Sequence, residues 1–158
     1  MVENIELVNE IVVTNEDFSQ IYNFFANADS EKILSLFMEK NGGMCRIKGA
    51  FKDISKGVYI ANDKHIIFSS RKIYNQLIYC KTNNFGYCII HNHLIGNEPS
   101  KSDYDTMEKI CDVAIEIGVK NIIFGIYDMN AKEIRFLLYN CLAEKEERQY
   151  YEQRIKKE

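Results

Sequence analysis

The sequence predicts one domain of the α+β class, on three observations. Short apolar runs of strand length recur along the chain, stripes of helical periodicity separate them, and no linker or repeat interrupts the succession. Its 158 residues suit a single core, and 46% apolar residues with 12% aromatic suffice to fill it.

Val2 to Val13 mixes charge with the triplet Ile11 to Val13 and predicts a short strand or an ordered arm. From Glu16 to Ala28, the residues Phe18, Ile21, Tyr22 and Phe25 recur at i, i+3, i+4 and i+7, which predicts a helix capped by Thr14 or Asn15. Ile33 to Met38 is a strand-length run, and Asn41-Gly42-Gly43 supplies the turn of a hairpin. Val58 to Ala61 and Ile66 to Phe68, joined at Asn62-Asp63-Lys64, predict a second strand pair. Ser69 and Ser70 are N-cap residues for a helix with Ile73, Leu77 and Ile78 on its buried stripe, ending near Asn83-Asn84. Gly86 to Ile90 is then a buried strand that delivers His91 at its end. A helix from Ser102 buries Met107, Ile110, Cys111, Ala114 and Ile117 and stops at Gly118. "NIIFGIYDM" and "EIRFLLYN" read as closing strands. The domain covers residues 1–141, with an N-terminal strand and helix over 1–29 and a core over 30–140. Residues 142–158 carry mixed charge with Glu and Lys at i, i+4 and predict a charged C-terminal helix or tail.

A formal charge of −3 offers no basic footprint for phosphates, so the expected partner is a protein or peptide and not nucleic acid. Five cysteines are an odd number, show no Cys-x-x-Cys spacing and fall mostly in apolar runs, which predicts buried reduced thiols and a cytoplasmic protein. No leader and no apolar run of about 20 residues argues for export or a membrane span.

The chemistry concentrates in "YCIIHNHLIGNEPSKSDYD", Tyr87 to Asp105. His91 and His93, two of the chain's three histidines, project to one face of an extended segment because a strand repeats every two residues. Both rings can reach one ion, whereas on a helix the same spacing would splay them by about 200°. A catalytic zinc takes three protein ligands and leaves a fourth position open. The third donor must come from the following loop, and Asp103, at the mouth of a helix, is a candidate carboxylate. Ser100, Ser102, Asp103 and Asp105 also fit the simpler role of helix caps.

"HNHLIGNEPSKSD" resembles the JAMM motif of the JAB/MPN metallopeptidase superfamily: His-x-His, a spacer, then Ser-x-x-Asp, with a glutamate from far upstream. It is most similar to the RadC-like branch or to a prokaryotic JAB branch, over about Ser30 to Tyr139. The resemblance implies a cytidine-deaminase-like fold, with a central, mostly antiparallel sheet flanked by helices. It implies Zn²⁺ held by His91, His93 and Asp103, a catalytic base at Glu31 ahead of "KILSLFME", and Ser100 as hydrogen-bond donor to an oxyanion. Glu39, at the far end of the same strand, is the rival base; about 26 Å separates the two, so only one can serve the metal. The implied reaction is hydrolysis of an amide, such as the bond after a ubiquitin-like C-terminal tail. The alternatives are a catalytically inactive JAB-fold scaffold and a RadC-like role in DNA processing. The chain departs from the family in three places: six residues instead of seven separate His93 from Ser100, Leu94 replaces a proline, and the Arg-Gly-Thr and His-Pro-Arg-Glu words of RadC-like proteins are missing.

Overall fold

The computed structural model describes residues 10–29, 31–42, 44–51, 59–61, 66–68, 70–96, 98–119, 122–139, 150–152 and 154–157. Strand β1 (Glu10–Val13) leads into helix α1 (Asn15–Phe25), followed by the hairpin β2 (Ile33–Asn41) and β3 (Met44–Ala50). The short pair β4 (Tyr59–Ala61) and β5 (Ile66–Phe68) precedes helix α2 (Ser70–Asn83). Strand β6 (Gly86–His93), helix α3 (Lys101–Ile117) and strands β7 (Ile122–Asp128) and β8 (Glu133–Tyr139) complete the core, with β9 (Tyr150–Glu152) and β10 (Arg154–Lys157) after it. The architecture is mixed α and β, as the alternation of runs predicts.

One sheet runs in the order β10-β1-β3-β2-β6-β7-β8-β9, and β4 and β5 pair separately. Pairing is antiparallel for β3–β2, β2–β6, β7–β8 and β8–β9 and parallel for β10–β1, β1–β3 and β6–β7. Only residue 153 separates β9 from β10, yet they pair with opposite outer strands, β8 and β1. The sheet must therefore curl until those strands flank one extended segment. Where a charged helix or tail is expected over 142–158, residues 150–152 and 154–157 form strands. Helix-favouring i, i+4 charge pairs contribute only a few tenths of a kcal/mol each, about 0.2–0.5, less than a ladder of backbone pairs on two strand edges returns.

Each face of the sheet carries its own core. Ile33, Tyr87, Ile89, Ile122, Phe124 and Leu137 face α2 and α3, where Ile73, Leu77, Cys80, Met107, Ile110 and Ala114 meet them. Leu34, Leu36, Met38, Cys88, Ile90 and Phe136 face the other way and pack with Ile11, Val13 and the α1 residues Ile21 and Phe25. Strand β7 is buried at every position and β6 at all but its last, so these two central strands lack the apolar–polar alternation of a solvent-facing sheet. Each large aliphatic or aromatic side chain so placed contributes roughly 1.5–3 kcal/mol.

The helices follow their sequence signals with small shifts. Thr14 caps α1 through a reciprocal capping box with Asp17. Gly118 ends α3 in the left-handed region at φ 98°. The α2 stripe differs in one member: Ile73 and Leu77 are buried, but Ile78 is exposed and Gln76 is buried in its place. Gln76 Oε1 accepts from Ser35 Oγ at 2.8 Å and from the Tyr87 hydroxyl at 2.5 Å. That network ties α2 to β2 and to β6, the strand that carries the histidines.

Cys45, Cys80 and Cys88 are buried free thiols, as expected, and burial pushes Cys45 up to about 11 and Cys80 up to about 12. Cys111 departs from the expectation, because it is disulfide-bonded. Spacing cannot disclose such a bond, since it depends on which cysteines the tertiary fold brings together. Among the described residues no helix is long and apolar enough to cross a membrane. The sequence readings at residues 2–9, Val58, Asn62-Asp63-Lys64, Ser69 and residues 142–149 lie outside the described residues.

Replacing Gln76 by Met leaves two buried hydroxyls without their shared acceptor. Each orphaned group costs about 1–3 kcal/mol, so urea unfolding of Gln76→Met should show a loss of about 2–6 kcal/mol at unchanged m-value. An unchanged midpoint would mean that the network contributes nothing.

Candidate metal centre

Strand β6 places His91 and His93 on the sheet face that α2 and α3 cover, and Asn92 on the other. The antiparallel register pairs Ile33 with His91, so two further residues back along the chain bring Glu31 level with His93. The parallel register pairs His93 with Asp128 at the end of β7. Position alone thus assembles two histidines and two acids at one end of the sheet.

Asp103 arrives from the first turn of α3. Ser100 caps that helix: Asp103 N–H donates to Ser100 Oγ at 3.1 Å and Ser100 N–H donates to Asp103 Oδ2 at 2.9 Å. The same carboxylate turns its oxygens to the histidines, with Oδ1 at 3.1 Å from His91 Nε2 and Oδ2 at 3.2 Å from His93 Nε2. The two Nε2 atoms lie 3.1 Å apart. All three side chains are largely covered, at 9%, 17% and 18% exposure. Capping and ligation are therefore not alternatives at Asp103, because an ionised carboxylate offers about four lone-pair sites.

The six-residue spacer closes because it turns sharply. Gly96 sits at φ 85°, a conformation that an L side chain rarely adopts, and a Cβ there would touch nothing within 4 Å. The demand at Gly96 is one of backbone angle and not of space. Further along the spacer, Glu98 Oε1 pairs with Arg135 Nη1 of β8 at 3.0 Å.

The electrostatics fit a cation. Burial works against the Asp103 charge, but the hydrogen bonds of His91 and His93, the His91 charge and the Ser100 N–H outweigh it and hold the carboxyl well below the usual carboxylate range. The hydrogen bond to Asp103 raises His93 above its ordinary value; burial opposes this, while the charges of Asp103, Glu31 and Asp128 add to it. Two ring protons can satisfy at most two of the three short contacts among these groups. One divalent ion satisfies all three, and ligands of a tetrahedral zinc stand about 3.3 Å apart, close to the separations found. Among the described residues this is the set of three His, Cys, Asp or Glu donors that converges, with ligand atoms within 4.8 Å.

Glu31 is brought to this centre and Glu39 is not. Glu39 is exposed at the far end of β2, 3.8 Å from Lys48 Nζ. The Glu31 segment is held on both sides, since Lys32 N–H donates to Asn92 Oδ1 at 2.6 Å and Lys32 Nζ donates to Phe24 O at 2.9 Å. Asn92, on the opposite face of β6 from the histidines, thus anchors the segment ahead of β2 that carries Glu31. Asp128 was not read from the sequence. It is buried, its Oδ1 accepts from the Asn130 and Ala131 N–H groups at 3.0 and 3.1 Å, and its charge acts on His93. The available signal was an aspartate closing a strand that runs parallel to the histidine strand.

No protein-family model matches the chain, and no curated protein does. The solution structure of protein DSY2949 from Desulfitobacterium hafniense is similar, with a TM-score of 0.55 over 94% of each chain at 14% identity. At that identity the likeness is one of fold.

Two outcomes follow from the site. Gly96→Ala carries about 1–2 kcal/mol of left-handed strain; if the mutant relaxes the turn instead, divalent-metal affinity should weaken by roughly 5- to 30-fold in a competition titration. An unchanged affinity would show that the turn does not set the site. Because a bound metal would displace the proton that Asp103 holds on His93, divalent-metal affinity should rise with pH while His93 is protonated, near tenfold per unit, and level off once it is neutral. Isothermal titration in two buffers of different ionisation enthalpy counts the released proton.

Proposed function

We propose that the protein is a zinc-dependent metallopeptidase or isopeptidase of the JAB/MPN kind, acting on an amide bond such as the one after a ubiquitin-like tail. One observation carries this reading. Although its spacer is a residue short, Asp103 is turned onto both imidazoles and away from solvent. A site that had lost its metal role would have no need to keep two imidazole nitrogens and a carboxylate in mutual contact.

His91, His93 and Asp103 would hold the ion, whose Lewis acidity lets a water ionise near pH 7. Glu31, beside His93 on a separately anchored segment, would be the base that takes a proton from the attacking water and passes it to the leaving amine. Ser100 Oγ accepts from Asp103 N–H, and its own O–H would be the donor to the oxyanion that develops on the carbonyl. Asn92 keeps Glu31 in place through the Lys32 backbone.

Metal analysis of the purified protein should give about one zinc per chain. His91→Ala and Asp103→Ala should abolish it, whereas Glu31→Gln should keep the metal and lose at least about 100-fold in kcat on a ubiquitin-like fusion. Zinc bound by the wild type without any cleavage would instead favour a binding module, and absence of zinc affinity would end the metallopeptidase reading.

A further inference from the structure

The pairing registers set four residues in a row across one face of the sheet: Ile33 opposite His91, His91 beside Ile126, and Ile126 opposite Arg135. Leu137, two residues on, belongs to the core under α2 and α3, so the Arg135 side chain stands on the same face as the histidines. Two strand spacings of about 4.8 Å put its backbone roughly 10 Å from that of His91. The spacer joins them a second time. Glu98 Oε1 meets Arg135 Nη1 at 3.0 Å, and two residues further on Ser100 Oγ accepts from the N–H of Asp103. The members of the ion pair are unequal, however. The Arg135 side chain is 23% exposed and rooted in the sheet, whereas that of Glu98 is 86% exposed and comes to it from solvent. A pair whose carboxylate stays so well hydrated contributes little to stability. Its chemistry is nonetheless specific, because a guanidinium offers a planar fork of donors that fits a carboxylate. The side of Arg135 that Glu98 occupies is thus reached from solvent and already holds a carboxylate.

We infer that Arg135 is the recognition group for a carboxylate of the substrate, and that Glu98 stands in for that carboxylate between substrates. The inference rests on the peptidase reading above and narrows its substrate class to peptides with an acidic side chain near the scissile amide. At about 3.3 Å per extended residue, a span of roughly 10 Å sets that acid about three residues from the amide at the metal. The stand-in lowers apparent affinity by the fraction of time that it holds the guanidinium. A pair that only latched the spacer would act on the metal ligands instead, and the two roles give opposite results when Glu98 is neutralised.

The test uses the zinc-loaded full chain and labelled alanine heptapeptides in which one Glu, or one Gln as control, is moved along the sequence. In the Glu31→Gln background, where turnover is suppressed, anisotropy titration should show the best-placed Glu peptide binding about tenfold more tightly than its Gln counterpart. Adding Arg135→Met should remove that preference. Adding Glu98→Gln should strengthen it, by about fivefold if Glu98 holds the guanidinium about four-fifths of the time, with zinc content unchanged. With the wild type, quenched versions of the same peptides should be cleaved fastest when Glu lies about three residues from the cut bond. Cleavage without a Glu preference overturns the carboxylate site and leaves the peptidase standing. An Arg135-dependent preference for Glu without cleavage upholds the site and overturns the peptidase. A Glu98→Gln variant that loses zinc, or that binds Glu peptides less well, makes the pair a latch of the spacer and overturns the stand-in. Neither cleavage nor selective binding overturns both.

Discussion

Two imidazole nitrogens 3.1 Å apart attract only when one carries a proton and the other a lone pair and repel otherwise, and the carboxylate of Asp103 facing both favours their approach. Much of the local structure answers to that contact. The strand must stay extended through His93 so that both rings share a face. The spacer must return within six residues, and α3 must start where its first-turn acid points inward. A helix N-terminus suits this role, since its unpaired N–H groups and dipole favour a carboxylate there.

Asp103 combines two duties that sequence patterns treat as competitors. The capping box satisfies backbone donors at the start of α3, and the remaining lone pairs of the same carboxylate face the histidines. Stability of the helix and order of the site are therefore coupled. The side chain that faces the histidines is held by the cap.

The sheet provides the frame. Strand β6 lies in its middle, hydrogen-bonded to β2 on one side and β7 on the other, so the two histidines and Asp128 are held by register. Glu31, His93 and Asp128 come level because one pairing is antiparallel and the other parallel. Asn92 adds a side-chain bond where the ladder runs out, fixing the segment ahead of β2. The buried Gln76 network braces the same strands from the α2 side.

Much of this was legible in the sequence by itself. The helices, the β2–β3 hairpin and the histidine strand follow from period, caps and turn residues, which act over a few neighbours. The pair of histidines on one face follows from the two-residue repeat of a strand, and Asp103 from its place at a helix start. Only the tertiary structure decided the rest. Residues 150–152 and 154–157 carry helix-forming charge pairs but become strands, because two open sheet edges need partners. Gln76 took the buried place expected of Ile78 because hydroxyls on two strands required an acceptor there. Glu31 was separated from Glu39, and Asp128 and Asn92 gained roles, through registers that join positions about 30 to 60 residues apart. Local chemistry determines which elements form and what they carry; pairing across the chain decides which of those groups meet, because a hydrogen-bonded ladder fixes distance where sequence separation cannot.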